Sequence, residues 1–143
     1  MRRVLLAVAA LAVPVSVITV SSSAAWAKTK PETSIVCKTL TGNVETTVVA
    51  SQCTGDTGGS SEAVDATDLA TGGTITWSNG KTTTIGTPTI ASVHNKKCSG
   101  TAESFSAPVT ADTTGLKTLG MTTGEVCVSS SDAISALKPL KTT

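Results

Sequence analysis

From Lys28 onward the chain has one tryptophan (Trp77), one phenylalanine (Phe105), one histidine (His94), and neither tyrosine nor arginine. Each scarcity removes a class of function. Without arginine and without a set of aromatic rings there is no platform for stacking bases. Nine lysines against ten acidic residues in the same stretch leave a formal charge of −1, so no basic patch exists for nucleic acid. A single imidazole leaves one candidate base for a Ser-His-Asp arrangement, and it falls in "VHNKKC", a lysine-rich turn where a solvated surface residue is expected. No GxSxG, HExxH or phosphate-binding glycine loop occurs. The chain is therefore read as a non-enzyme that needs no cofactor. Asn-x-Ser/Thr acceptors are absent, as are the Leu/Glu/Lys/Arg runs that build long amphipathic helices.

What is present begins with the N-terminus, "MRRVLLAVAALAVPVSVITVSSSAAWAK". Two arginines precede an uncharged apolar run, and Ala25-Trp26-Ala27 supplies small residues around a cleavage point. This reads as a secretory signal peptide, residues 1–27, removed after Ala27. The remaining 116 residues, 28–143, are enough for one secreted domain with a modest core. No later stretch is apolar enough to span a bilayer.

Twenty-six threonines in that stretch, together with valine and isoleucine, favour strands. Turn signals recur often enough to suggest about seven to nine short strands. The expected fold is all-β, a small antiparallel sandwich or barrel. A core so poor in aromatics needs reinforcement, and four cysteines, Cys37, Cys53, Cys98 and Cys127, supply it as two disulfides. Of three connectivities, Cys37–Cys53 with Cys98–Cys127 is preferred because it needs the least long-range ordering. A metal site at His94 and Cys98 is disfavoured, since no CxxC pair accompanies it.

Along the chain, two strands are expected around a turn at Thr41-Gly42-Asn43, with Ile35, Cys37 and Thr39 on one face and Val44, Thr46 and Val48 on one face of the next. The segment "TGDTGGSSEAVDATDLATGG" carries Asp56, Glu62, Asp65 and Asp68. It is read as a solvated connection holding a short helix capped by Ser60 or Ser61, or a strand over residues 64–69. It lacks the ligand spacing of a calcium loop. In "GGTITWSNGKTTTIGT" the apolar pattern selects a three-residue turn, Ser78-Asn79-Gly80, with Gly80 as a bulge. That register pairs Trp77 with Lys81 and Ile75 with Thr83. Trp77 then joins a buried stripe with Ile75 and Ile85. Its place beside the turn, opposite Lys81, keeps a surface-contact reading open. Further strands are expected over residues 89–94, around Phe105 with an edge or bulge at Pro108, and over residues 125–129. Residues 134–140 read equally as a final strand or as a short helix stopped by Pro139.

Cys37, "SQCTGDTGGS" (51–60), "GGTITWSNGKTTT" (72–84) and "EVCV" (125–128) together resemble a group of small secreted actinomycete proteins, mycobacterial relatives included. The resemblance implies an exported β-domain with paired cysteines and supplies no activity. By elimination the chain is read as a non-catalytic extracellular or cell-envelope binding module with a protein, glycan or small apolar ligand. The alternative is a protease inhibitor presenting a loop held by Cys98–Cys127. Binding candidates are Trp77, Lys81, Asp56, Glu62, Asp65 and Asp68.

Overall fold

The computed structural model describes residues 34–143; the proposed signal peptide and the polar lead after it lie outside this range. Within it, nine strands and one short helix follow in the order β1 (Ile35–Asn43), β2 (Thr47–Cys53), β3 (Val64–Asp65), α1 (Ala66–Thr71), β4 (Thr74–Thr76), β5 (Thr82–Ile85), β6 (Thr89–Val93), β7 (Thr101–Asp112), β8 (Met121–Val128) and β9 (Ala133–Thr142). All pairings are antiparallel, in the order β3-β2-β1-β9-β8-β7-β5-β4. β6 also pairs with β7, on the edge that β5 occupies further along: β5 meets residues 109–112 and β6 meets residues 102–106. The break between them lies beside Pro108, and Thr84 and Ile85 pair across a bulge there. Pro108 has no N–H to give, so the interruption falls where the ladder is weakest.

The ends of this sheet are brought together by a few residues. Backbone groups of residues 59–62 bond to β2 on one side, through Cys53 N to Gly59 O and Ser61 N to Ala50 O. On the other side Ser78 N donates to Ser60 O and Glu62 N to Thr76 O, next to β4. The result is a nearly closed barrel, not a sandwich. Closure removes most free strand edges. Among the described residues β6 keeps a free edge, its one strand partner being β7, and the two-residue β3 likewise pairs only with β2.

One apolar cluster fills the interior: Ile35, Cys37, Leu40, Val48, Ala50, Val64, Ala66, Ile75, Trp77, Ile85, Ala107 and Leu140. Trp77 is its largest member and is 0% exposed. Burying a ring of that size contributes roughly 4–6 kcal/mol at about 25 cal/mol per Å². Threonine fills the space that aromatics would usually take. Thr57, Thr83, Thr114, Thr122 and Thr142 are buried, and each hydroxyl has a partner. Both disulfides form as expected, Cys37–Cys53 and Cys98–Cys127. The first ties β1 to β2, and the second anchors the loop after β6 to β8.

Local expectations met the structure unevenly. The first turn comes later than expected, over residues 44–46, and Gly42 lies within β1. Period two also fails inside β1. Ile35 and Cys37 are buried, and Leu40 is the next, because the register against β9 slips by one residue between Cys37 and Thr41. Val44 is consequently exposed. The short helix exists, but its cap is Asp65, whose carboxylate accepts from Thr67 N. Ser60 and Ser61 are spent closing the barrel. Residues 134–140 belong to strand β9, and Pro139 is accommodated by two register slips against β8 around Lys138.

Candidate functional site

The hairpin of β4 and β5 has the register the apolar pattern selects. Ile75 faces Thr83, Trp77 N donates to Lys81 O, and Gly80 takes a φ of +79° as its N–H bonds back to Trp77 O. Of the two readings of Trp77, the structure has the core one. The indole Nε1 donates to Thr83 Oγ1 at 2.9 Å, and Thr83 donates in turn to Asp112 Oδ1 at 2.7 Å. No face of the ring is offered to a partner. Asp112 also accepts from Thr114, Gly115 N and Leu116 N. Burial works against its charge, but these donors outweigh burial and hold the carboxyl below its usual range. The chain from indole to hydroxyl to carboxylate ties the hairpin to the end of β7.

The acidic candidates do not converge. Asp56 pairs with Lys81, and Asn79 Nδ2 donates to both the Asp56 carbonyl and its carboxylate, so the glycine-rich loop is pinned onto the turn beyond Trp77. Asp65 is occupied as the helix cap, and the Thr67 hydroxyl and amide lower its pKa. Glu62 and Asp68 are exposed. Among the described residues no group of three or more His, Cys, Asp or Glu side chains is placed to hold a metal ion. His94 is exposed, and Cys98, the other half of the disfavoured metal pair, is in a disulfide.

A different site, not foreseen from the sequence, lies inside the barrel. It is an apolar cavity of about 220 Å³. Its walls come from Leu40 on β1, Val48 and Ala50 on β2, Ile75 and Ile85 from the hairpin, Phe105 on β7, Val126 and Val128 on β8, and Ile134 and Leu140 on β9. Val64, Ala66, Leu69 and Ala70 cover one side from β3 and α1. The mouth is marked by lining residues that are themselves open to solvent: Val44 after β1, Ala70 at the end of α1, and Ile90, 49% exposed, on the lone-edged β6. The barrel thus has a half shut by Trp77 and the bridge of residues 59–62, and a half that opens beside β6.

Three side chains in this lining carry polar atoms: Ser61, Thr122 and Glu103. The first two are spoken for, Ser61 accepting from Ala50 N and Thr122 sharing a hydrogen bond with Thr142. Glu103 is half-buried and is, among the described residues, the one charged residue of the lining. It could have been noticed in "TAESFSAPV", where it is in phase with Phe105, Ala107 and Val109, the inward row of β7. The outer face of the same strands carries a more open depression of about 330 Å³ beside Ser104, Thr123, Glu125 and Lys138. Its charges satisfy each other: Glu125 pairs with Lys138 and accepts from Asn95, and these contacts lower its pKa.

The stretch between Cys98 and Cys127 is the β7–β8 hairpin, paired from Thr101↔Val128 to Pro108↔Met121. It is not a free loop strung across a disulfide. Among the described residues no helix is long and apolar enough to cross a membrane. Comparison with protein-family models, with curated proteins and with solved structures finds no match. The arrangement can enclose an apolar group, and two disulfides fit an oxidising compartment.

Proposed function

We propose that this chain is an exported, non-catalytic binding module and that its ligand site is the apolar cavity of the barrel. The observation that carries the reading is the cavity itself: about 220 Å³ of space with a mostly aliphatic lining, reachable beside β6. Enclosed, mostly apolar sites of this kind are where small molecules bind. An apolar cavity of about 150 Å³ accommodates benzene, so by proportion this one takes about nine heavy atoms. A medium-length alkyl chain or a compact terpene-sized molecule fits, and a longer chain would emerge at the mouth. The inhibitor alternative has less support because most of the Cys98–Cys127 segment is paired in the β7–β8 hairpin, leaving residues 113–120 as its connecting loop.

The test is calorimetric titration with 1-nonanol. Wild type should bind one equivalent saturably. Val126→Phe, which puts a ring into the cavity, should weaken binding at least tenfold with an unchanged far-ultraviolet dichroism spectrum. Ala50→Leu serves the same purpose if Val126→Phe fails to fold. Absence of saturable binding by wild type overturns the reading, and so does equal binding by the filled variants.

A further inference from the structure

The polar atoms of Ser61 and Thr122 in the cavity lining are already hydrogen-bonded, which leaves one polar side chain facing the space, and it carries a charge. Glu103 is in register with Val126 of β8 on one side and with Ser92 of β6 on the other, so it stands on the wall nearest the lone edge of the barrel. It shares the inward row of β7 with Phe105 and Ala107, and it lines the same space as Ile90, which is open to solvent at the mouth. Among the described residues Glu103 is in neither of the two salt bridges, and its carboxylate takes no side-chain hydrogen bond. The contrast with the other inner or buried carboxylates is clear. Asp112 and Glu125 are each held by several donors. Among the described residues no lysine, arginine or histidine lines the cavity.

We infer that Glu103 selects the head group of the ligand: the cavity takes an alkyl chain that ends in a hydrogen-bond donor, best of all a protonated amine, and discriminates against a carboxylate. This rests on the cavity being the ligand site. A fatty acid entering tail-first would bring its carboxylate toward Glu103 in a partly desolvated setting, where like charges repel and no cation compensates. An alkylamine would meet an acceptor with both oxygens open, and a charge-assisted hydrogen bond is stronger than a neutral one. An alcohol can donate one hydrogen bond and should rank between them. The aliphatic remainder of the lining treats all three tails alike, so the ranking isolates the head group.

The experiment measures binding of nonylamine, 1-nonanol and nonanoate at pH 7 by calorimetry, to wild type and to Glu103→Gln. Wild type should prefer the amine to the acid by about tenfold or more, the scale of one hydrogen bond to a charged group. Glu103→Gln should bring the amine and the acid within about threefold of each other, with 1-nonanol falling in the same range. Equal affinities of wild type for amine and acid overturn the inference and leave the cavity standing as a binding site. So does a preference that survives in Glu103→Gln. If none of the three binds wild type, the binding-module reading falls, and the inference with it.

Discussion

Thr83→Val removes one oxygen atom and leaves the shape of the side chain almost unchanged. Thr83 is fully buried, accepts the Trp77 indole N–H at 2.9 Å and donates to Asp112 at 2.7 Å. Valine does neither. The indole N–H would then be left without a partner in a position with no solvent access, which costs about 1–3 kcal/mol. Asp112 would lose one donor to a charged oxygen, about 1.5 kcal/mol at the low end, because Thr114 and two backbone amides remain. Together the expected loss is about 3 kcal/mol, a large share of a typical total of roughly 5–15 kcal/mol. For a domain of this size that lowers Tm by about 12 °C. Scanning calorimetry with both disulfides intact reads it directly. Trp77→Phe removes the donor, so in that background Thr83→Val should cost about half as much, and the difference is the coupling between the two residues. A single-variant effect within about 0.5 kcal/mol of wild type would refute the reasoning, as would strict additivity in the double variant.

Three further outcomes follow from the same structure. Asp112 and Glu125 both hold their protons less tightly in the folded state than in the unfolded chain, Asp112 because its donors outweigh burial and Glu125 because of Lys138 and Asn95. Their contribution is complete above the ordinary carboxylate range near pH 4 and is lost as pH falls through their lower folded values; Tm measured from pH 7 to pH 2 should drop in that acid window, and Asp112→Asn should flatten the drop. Replacing Cys98 and Cys127 together with serine opens a cross-link spanning 29 residues and should cost about 3–4 kcal/mol in urea unfolding. Gly124→Ala places a methyl group 2.6 Å from Phe105 Cε1, across the Phe105–Gly124 pair. Phe105, a wall of the cavity, must shift, so stability should fall by about 1–2 kcal/mol and affinity for 1-nonanol should change.

What was legible beforehand depended on whether the signal was local. The Trp77–Lys81 register followed from Ile75, Trp77 and Ile85 needing one face, a constraint contained within eleven residues. The disulfides followed from an even cysteine count and short separations. Period two held along β5, where Thr83 and Ile85 are buried, and failed in β1, where a slip against β9 turned Leu40 inward in place of Thr39. β9 was ambiguous because a proline in an interior strand needs bulges, which only the neighbouring strand can provide. Ser60 and Ser61 looked like helix caps because their true partners, Ala50 and Ser78, are distant in the chain or belong to another turn. The cavity was the least legible feature. Each of its walls contributes one or two aliphatic residues that read as ordinary core, and only the closed barrel shows that they leave a space between them.

That space is the centre of the account, and one measurement bears on it most directly. Methyl-labelled protein titrated with 1-nonanol and followed by NMR reports which side chains the ligand touches. The account predicts saturable shifts and protein–ligand Overhauser contacts at Leu40, Val48, Val64, Ile75, Val126 and Leu140, the walls of the cavity. Contacts confined to exposed Leu119 and Met121, or no saturable change at all, would contradict it.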